Sequence, residues 1–178
     1  METDNKSENT LESVFAAELA ELYERDQETR RDGPPTDPEV DVASTKRMKE
    51  IIAQIGWPTI SKVGEESSNI AWLLVQHADH DPGFQAECLR LMKEVPPVDI
   101  DAKDIAYLED RILVNQGQAQ IYGTQLVITE GRYVVAPYKD DDEATVNLRR
   151  TEVGLQPLAD YIADVTRRNP LRVSNTTN

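Results

Sequence analysis

The chain is poor in several residue types, and each shortage excludes a class of protein. Cys88 is the single cysteine, so neither an intramolecular disulfide nor a thiolate metal cluster can form. It shares a predicted helix face with Phe84 and Leu91, which indicates a buried side chain. No apolar run approaches the roughly 20 residues that span a bilayer. The first nine residues also lack the basic and apolar parts of a signal peptide. These shortages predict a cytoplasmic protein.

Positive charge is scarce as well. The 178 residues include 19 Lys and Arg against 33 Asp and Glu, which gives a formal net charge of −14. Such a field repels phosphate backbones and anionic lipid, so binding to nucleic acid or to a membrane surface is not expected. The acidity is typical of a surface that favours solubility. The length fits one domain with a core of ordinary size.

Apolar residues recur at helical spacing along most of the chain. Phe15, Leu19 and Leu22 are three or four residues apart, which is the spacing of one face of an α-helix. That stripe continues in register into Asp26 and Arg30. Polar side chains are therefore expected at the end of a face that packs against the core.

The sequence predicts a mostly α-helical fold. We expect a single-domain bundle of about six or seven helices over residues 9–168, with one small β-hairpin near residues 125–137. Glu130-Gly131 supplies the two-residue turn of that hairpin. The segments 1–8 and 169–178 are polar and are expected to be disordered tails.

Capping residues and prolines set the expected helix boundaries. Asp81-Pro82 combines an aspartate cap with proline in the first turn, which predicts a helix start. Gly56 followed by Trp57-Pro58 predicts a helix end. The stretch up to Asp41 is expected to be a surface connection. On these signals the first three helices are predicted from an Asn9 cap to Gly33, over residues 44–55 and over residues 61–79.

The sequence contains none of the common catalytic or cofactor signatures. It has no Gly-rich phosphate loop, nucleophile elbow, paired-histidine zinc motif or carboxylate-rich calcium loop. We therefore predict that the protein uses no cofactor. Its chemistry would depend on its own side chains.

The two histidines carry the most chemistry. His77 and His80, with interleaved aspartates, could bind a metal ion. However, they straddle a predicted helix end and Asp81 is better used as a helix cap, so no metal site is predicted. His77 alone falls in register with Ile70 and Leu74. It is either a core histidine satisfied by one hydrogen bond or a general acid or base that lines a cleft.

A second polar stretch joins a predicted helix to the hairpin. Gln120, Tyr122 and Gln125 lie within it, around two glycines. Uncharged amides and hydroxyls are the groups that orient a polar ligand in a pocket. The alternative is a polar turn with exposed glutamines.

Two charged pairs flank this stretch. Asp110-Arg111 and Arg149-Arg150 could form surface ion pairs, which contribute only about 0–1 kcal/mol to stability. Arginines in a dry cleft could instead hold a carboxylate or phosphate through two parallel hydrogen bonds.

Five separated segments resemble one bacterial family, of actinobacterial type, that is known only as a domain of unknown function. The resemblance covers about residues 19–161, and the segments follow in the family's order. Asp26-Gln27 and Arg30 also fit the family's first helix. The five segments are Gly56-Trp57-Pro58-Thr59, Gln76-His77-Ala78-Asp79, Asp110-Arg111, Gln120-Ile121-Tyr122-Gly123-Thr124-Gln125 and Asn147-Leu148-Arg149-Arg150.

The resemblance implies no particular activity, but its signatures are polar where packing alone would select apolar residues. It therefore implies a shared pocket. His77, Asp110 and Tyr122 are the predicted catalytic residues. The predicted contacts to a ligand are Asp26, Gln27, Arg30, Asp79, Gln120, Gln125 and Arg149.

Two functions follow from this pocket. In the first, the protein is a cofactor-independent hydrolase, lyase or isomerase that acts on a small polar or anionic molecule. His77 is then the general acid or base, oriented by Asp79 or Asp110. In the second, the protein is a non-catalytic binding or interaction module. Its polar cluster is then a structural hydrogen-bond network that fixes helix packing.

Overall fold

The computed structural model describes residues 11–31, 36–139 and 142–170. These residues form a mostly helical fold with one two-stranded antiparallel hairpin, which confirms the predicted fold class. The chain divides into two compact units, Met1–Asp101 and Ala102–Asn178. A single domain over residues 9–168 stays a prediction. The Asn9 cap, the Gly33 stop and most of both predicted tails lie outside the described residues.

The described residues of the first unit are mostly helical. Its described elements are α1 (Leu11–Arg30), α2 (Pro38–Ile55), α3 (Ile60–Val63), α4 (Glu65–Gln76), α5 (Pro82–Glu94) and a 3-10 turn (Pro97–Asp99). Helix α1 packs against α2 and α4, and α4 packs in turn against α5. No helix among the described residues of the chain has the length and apolar character needed to cross a membrane.

The apolar stripe of α1 is buried as its spacing predicts. Phe15, Leu19 and Leu22 are all less than a tenth exposed, and Asp26 follows them into the same face at 1% exposure. Cys88 on α5 is also fully buried, and burial raises the pKa of its thiol to about 12. It is therefore a core side chain and not a reactive thiolate, as the sequence indicates.

Two predicted boundaries in the first unit are wrong. Helix α2 begins at Pro38, not near residue 44, because the Asp37 carboxylate accepts the Glu39 N–H and Pro38 occupies the first turn. The predicted helix over residues 61–79 is interrupted at Gly64, which adopts a φ of 85°. A positive φ at Gly64 ends α3, and α4 begins at the next residue.

The second unit combines three helices with the hairpin. Its described elements are α6 (Ala102–Asn115), β1 (Leu126–Thr129), β2 (Arg132–Val135), α7 (Glu143–Glu152) and α8 (Leu158–Arg168). Leu126 pairs with Val135 and Thr129 with Arg132, so the turn is Glu130-Gly131 as predicted. Both turn residues have positive φ, 50° and 70°, which is the geometry of a type I′ turn.

Helix α8 packs on β2 and also closes over the segment that precedes the hairpin. Gly123 in that segment has a φ of 69°, and a Cβ added there would lie 3.0 Å from the Leu158 side chain. Glycine is therefore required at this position both by backbone conformation and by the close approach of α8.

Candidate functional site

The predicted site residues fall into two groups of contacts, one inside each unit. We call the first group, which consists of Asp26, Arg30, Asp41 and His77, the His77 cluster. We call the second, which consists of Asp110, Arg150 and the loop 120–125, the Asp110 cluster. A single pocket that joins the two groups stays a prediction.

The His77 cluster is assembled from three helices of the first unit. Asp26 and Arg30 lie one turn apart on α1, Asp41 lies in the first turns of α2, and His77 is the C-terminal cap of α4. Asp26 is placed by the apolar stripe that precedes it. His77 is placed by its backbone N–H, which donates to the Leu73 carbonyl.

Asp26 is the centre of this cluster. Its Oδ1 lies 2.7 Å from His77 Nδ1 and 3.0 Å from Arg30 Nε, and its Oδ2 accepts a 2.8 Å hydrogen bond from Gln27. Burial would raise the pKa of Asp26, but three neighbouring side chains outweigh this effect. They act through the hydrogen bond and charge of His77, the amide of Gln27 and the charge of Arg30. The pKa of Asp26 is therefore lowered, so this carboxylate is ionised at neutral pH.

Arg30 connects Asp26 to a second carboxylate. Its Nη2 donates to Asp41 Oδ1 at 2.5 Å. The pKa of Asp41 is nevertheless raised, mainly by burial and also by the nearby charge of Asp26. The positive charge of Arg30 and the imidazole of His77 offset only part of this increase. Sequence reasoning missed Asp41 because the Asp37-Pro38 helix start was not recognised, although it is the same signal that Asp81-Pro82 gives.

The imidazole of His77 has one ring nitrogen engaged. Nδ1 faces the Asp26 carboxylate, whereas Nε2 has no hydrogen-bond partner among the described residues. The side chain is 19% exposed. An ionised carboxylate can accept a hydrogen bond but cannot donate one. The Nδ1 of His77 therefore carries the proton and donates a hydrogen bond to Asp26, and Nε2 keeps its lone pair.

The end of α4 that carries His77 is held by Gln85 of α5. Its amide nitrogen donates to the carbonyls of Val75 and Gln76, at 3.1 and 3.3 Å, and to Asp79 Oδ1 at 3.2 Å. Sequence analysis expected Asp79 or Asp110 to orient His77. In the structure the carboxylate on Nδ1 is that of Asp26, and Asp79 is exposed.

The Asp110 cluster is a buried network around one loop. Asp110 on α6 is 0% exposed. Its carboxylate accepts the backbone N–H groups of Ile121 and Thr124 at 2.6 and 2.9 Å, that of Tyr122 at 3.1 Å, and the Thr124 hydroxyl at 2.9 Å. One carboxylate therefore binds three of the six backbone N–H groups of the loop 120–125 and one of its hydroxyls.

Arginine side chains bind carbonyls of the same loop and of the segment between α7 and α8. Arg150 is fully buried and donates to the carbonyls of Tyr122 and Gln156, at 2.7 and 2.6 Å, while Arg149 donates to the Ile121 carbonyl at 3.0 Å. Desolvation lowers the pKa of Arg150. Its guanidinium carbon lies 5.0 Å from the Tyr161 ring centroid, a cation–π contact that partly replaces lost solvent.

The two predicted glutamines tie the loop to the hairpin. Gln120 is 0% exposed, accepts the Gln125 N–H at 2.9 Å and donates to the Gln125 and Ala136 carbonyls. Gln125 donates to Tyr107 and Thr124. Tyr122 is half-buried, and desolvation together with nearby acidic groups raises the pKa of its phenol. The two glutamine side chains are therefore engaged mainly with backbone groups of their own unit.

Surface grooves of the first unit are lined by residues other than the predicted site residues. In the part of the chain that the structure describes, His, Cys, Asp and Glu side chains do not gather into a group of three or more that could hold a metal ion.

A family model described as a family of unknown function, DUF6624, matches residues 20–174. The match covers most of the chain, so the chain belongs to that family. A search of the curated proteins and a search of the solved structures each found no match.

Proposed function

We propose that this member of the family of unknown function is a small-molecule enzyme in which His77 moves a proton to and from a polar substrate. The observation that supports the proposal is the 2.7 Å contact between His77 Nδ1 and a buried, ionised Asp26, with Nε2 left without a described partner. Hydrolysis, elimination and isomerisation all use a general acid or base of this kind.

The chemistry follows from the pair of side chains. His77 Nε2 takes a proton from the substrate or from a water molecule, and Asp26 stabilises the imidazolium that forms. The proton then returns from Nε2 to the leaving group or product. Arg30 donates to Asp26 and adds its charge to the contacts that keep Asp26 ionised, so the three side chains work as one unit.

The substrate proposed for this site is small and polar. Ionised Asp26 and Asp41 with one Arg30 give the cluster a net charge of −1 when His77 is neutral. Since Arg30 is already held by two carboxylates, an anionic group on the substrate would need to lie away from them. Hydroxyl or amide groups that hydrogen-bond to Nε2 fit this surrounding better.

For the Asp110 cluster we propose a structural role. The carboxylate of Asp110 accepts from backbone N–H groups and from the Thr124 hydroxyl of the loop 120–125. The guanidinium of Arg150 donates to the carbonyls of Tyr122 and Gln156, and both charged side chains are fully buried. A network of that kind fixes a loop conformation without taking part in a reaction.

Depletion of metabolites tests the enzymatic proposal. The wild-type protein, incubated with a mixture of small polar metabolites and followed by mass spectrometry, is expected to consume at least one of them. Replacement His77→Gln should slow that consumption by at least about 100-fold, since general acid–base catalysis commonly contributes 10²–10⁴-fold. Asp26→Asn should slow it by at least about ten-fold through loss of the charge that stabilises the imidazolium.

The matched control is His80→Gln, which removes the other, exposed histidine and should leave the rate unchanged. A folded His77→Gln protein that works at the wild-type rate would exclude this mechanism. If the wild-type protein consumes no metabolite, the non-catalytic module is favoured instead.

A further inference from the structure

A small groove of the first unit is lined by residues of α3, of the end of α5 and of the segments beside them. Its volume is about 270 Å³, just below the range of about 300–1,000 Å³ that holds drug-sized ligands. Leu91, Val95 and Pro96 provide the apolar part of its wall. Trp57 also lines the groove and belongs to the segment Gly56-Trp57-Pro58-Thr59, which neither of the two clusters uses.

Trp57 carries a hydrogen-bond donor that the protein leaves unsatisfied. The residue is only 3% exposed, and its Nε1 has no hydrogen-bond partner among the described residues. A buried indole N–H normally finds an acceptor, because burial without one has a cost in free energy. A ligand in the groove that carries an acceptor oxygen can supply the missing partner.

Lys62 brings a second donor to the same wall. Its Nζ donates to the carbonyls of Ile55 and Trp57, the latter at 3.1 Å. An ammonium group has three N–H donors, so one of them is left without a partner among the described residues. Two donors, one of them charged, therefore line the groove beside its apolar part.

Asp99 provides an acceptor on this wall. Its carboxylate accepts the Ser61 N–H and the Ser61 hydroxyl, at 2.6 and 2.7 Å. These hydrogen bonds and the charge of Lys62 lower the pKa of Asp99, so this carboxylate is ionised at neutral pH. An ionised carboxylate has about four lone-pair positions, and two hydrogen bonds leave room for a further donor.

The balance of charge favours an uncharged ligand. Lys62 contributes one positive charge to the wall, and Asp99 and Glu94 contribute two negative charges. An anionic ligand would meet a wall with a net charge of −1, in a protein whose net charge is −14. A simple ammonium ligand has no acceptor, so it would leave the N–H of Trp57 unsatisfied.

We propose that this groove binds a small aliphatic primary carboxamide. The carbonyl oxygen has two lone pairs and accepts from Trp57 Nε1 and Lys62 Nζ. The amide nitrogen donates to the Asp99 carboxylate, and the hydrocarbon part lies on Leu91 and Val95. The site shares no residue with the His77 cluster and does not depend on the function proposed for it.

Proton–nitrogen correlation spectra of the full-length protein, titrated with 3-methylbutanamide, test the proposal. Trp57 and Trp72 are the two tryptophans, so a Trp72→Phe protein assigns the two indole N–H signals. The Trp57 signal should move downfield and saturate with a dissociation constant of about 5 mM or tighter, because the new hydrogen bond deshields its proton. The Trp72 signal should stay in place.

Two analogues with the same hydrocarbon part separate the carboxamide from other head groups. 3-Methylbutanoate carries a negative charge and 3-methylbutylamine a positive one, and each should bind at least about ten-fold more weakly. A Trp57 signal that does not respond to 3-methylbutanamide, or that responds equally to all three compounds, would overturn the proposal.

A pair of lysine variants tests the second donor. Lys62→Met keeps an unbranched side chain but removes the ammonium group, and should weaken binding of 3-methylbutanamide by about five-fold or more. Lys46→Met makes the same change at an exposed position of α2 outside the groove and should have no effect. Equal affinities in the two folded variants would contradict the role given to Lys62.

Discussion

Replacement of Asp110 by alanine is expected to lower the free energy of unfolding by about 3–5 kcal/mol. The change removes the acceptor of three backbone N–H groups and one hydroxyl in the loop 120–125. Each buried donor left without a partner costs about 1–3 kcal/mol, although relaxation of the loop recovers part of the sum. Urea unfolding followed by circular dichroism measures the loss.

Asp160→Ala is the matched control for this variant. It makes the same side-chain change at an exposed position in the first turn of α8 and should cost no more than about 1 kcal/mol. Asp110→Asn retains one carbonyl oxygen and should fall between the two. An Asp110→Ala protein as stable as the Asp160→Ala protein would contradict the structural role of this carboxylate.

Replacement of Asp26 by alanine is expected to cost about 2–4 kcal/mol. Asp26 is 1% exposed and accepts from His77, Arg30 and Gln27. Breaking a buried charged pair by removal of one partner is strongly destabilising because the other charge stays behind. Arg30 keeps its ion pair with Asp41 in this variant. The expected loss of stability is therefore smaller than for a buried cation left with no partner.

The stabilisation by Asp26 should also depend on pH in a defined direction. Its pKa is lowered in the folded protein from an ordinary value of 3.8. The stabilisation is therefore complete above about pH 3.8 and is lost as the pH falls from there through the lowered folded pKa. Asp41, whose pKa is raised, acts in the opposite sense above pH 3.8. Other carboxylates with a lowered pKa are shared by the wild-type and Asp26→Asn proteins, so the difference in stability between these two proteins below pH 3.8 reports Asp26.

Urea midpoints of the wild-type and Asp26→Asn proteins, measured across that acid window, check this dependence. The advantage of the wild type should shrink steadily as the pH is lowered. An advantage that stays constant, or grows, would show that the Asp26 carboxylate is not stabilised by its three partners.

The sequence predicted local features of the fold and site well. The stripe of α1 placed Asp26 on a buried face, and the Glu130-Gly131 turn located the hairpin. Those signals depend on residues within one or two turns of each other, so periodicity and capping reveal them. Asp37-Pro38 is also a local signal for a helix start. Because this signal was missed, Asp41 was assigned to a surface connection and was not among the predicted site residues.

Contacts between distant segments were beyond such reasoning. Asp26 and His77 are 51 residues apart, and spacing within one helix cannot show which carboxylate meets a histidine on another. Asp110 binds mainly backbone N–H groups, which every residue except proline possesses. A buried carboxylate of that kind has the same sequence signature as a catalytic one.

The central claim is that Asp26 holds the Nδ1 proton of His77 and leaves Nε2 available to a substrate. Long-range proton–nitrogen correlation spectra of histidine-labelled protein, recorded as the pH is raised until the imidazole signals no longer change, test it directly. His80→Gln leaves a single imidazole and so assigns the signals. The account predicts a protonated Nδ1 and an unprotonated Nε2 for His77. A proton on Nε2, or two exchanging tautomers as in a free side chain, would contradict it.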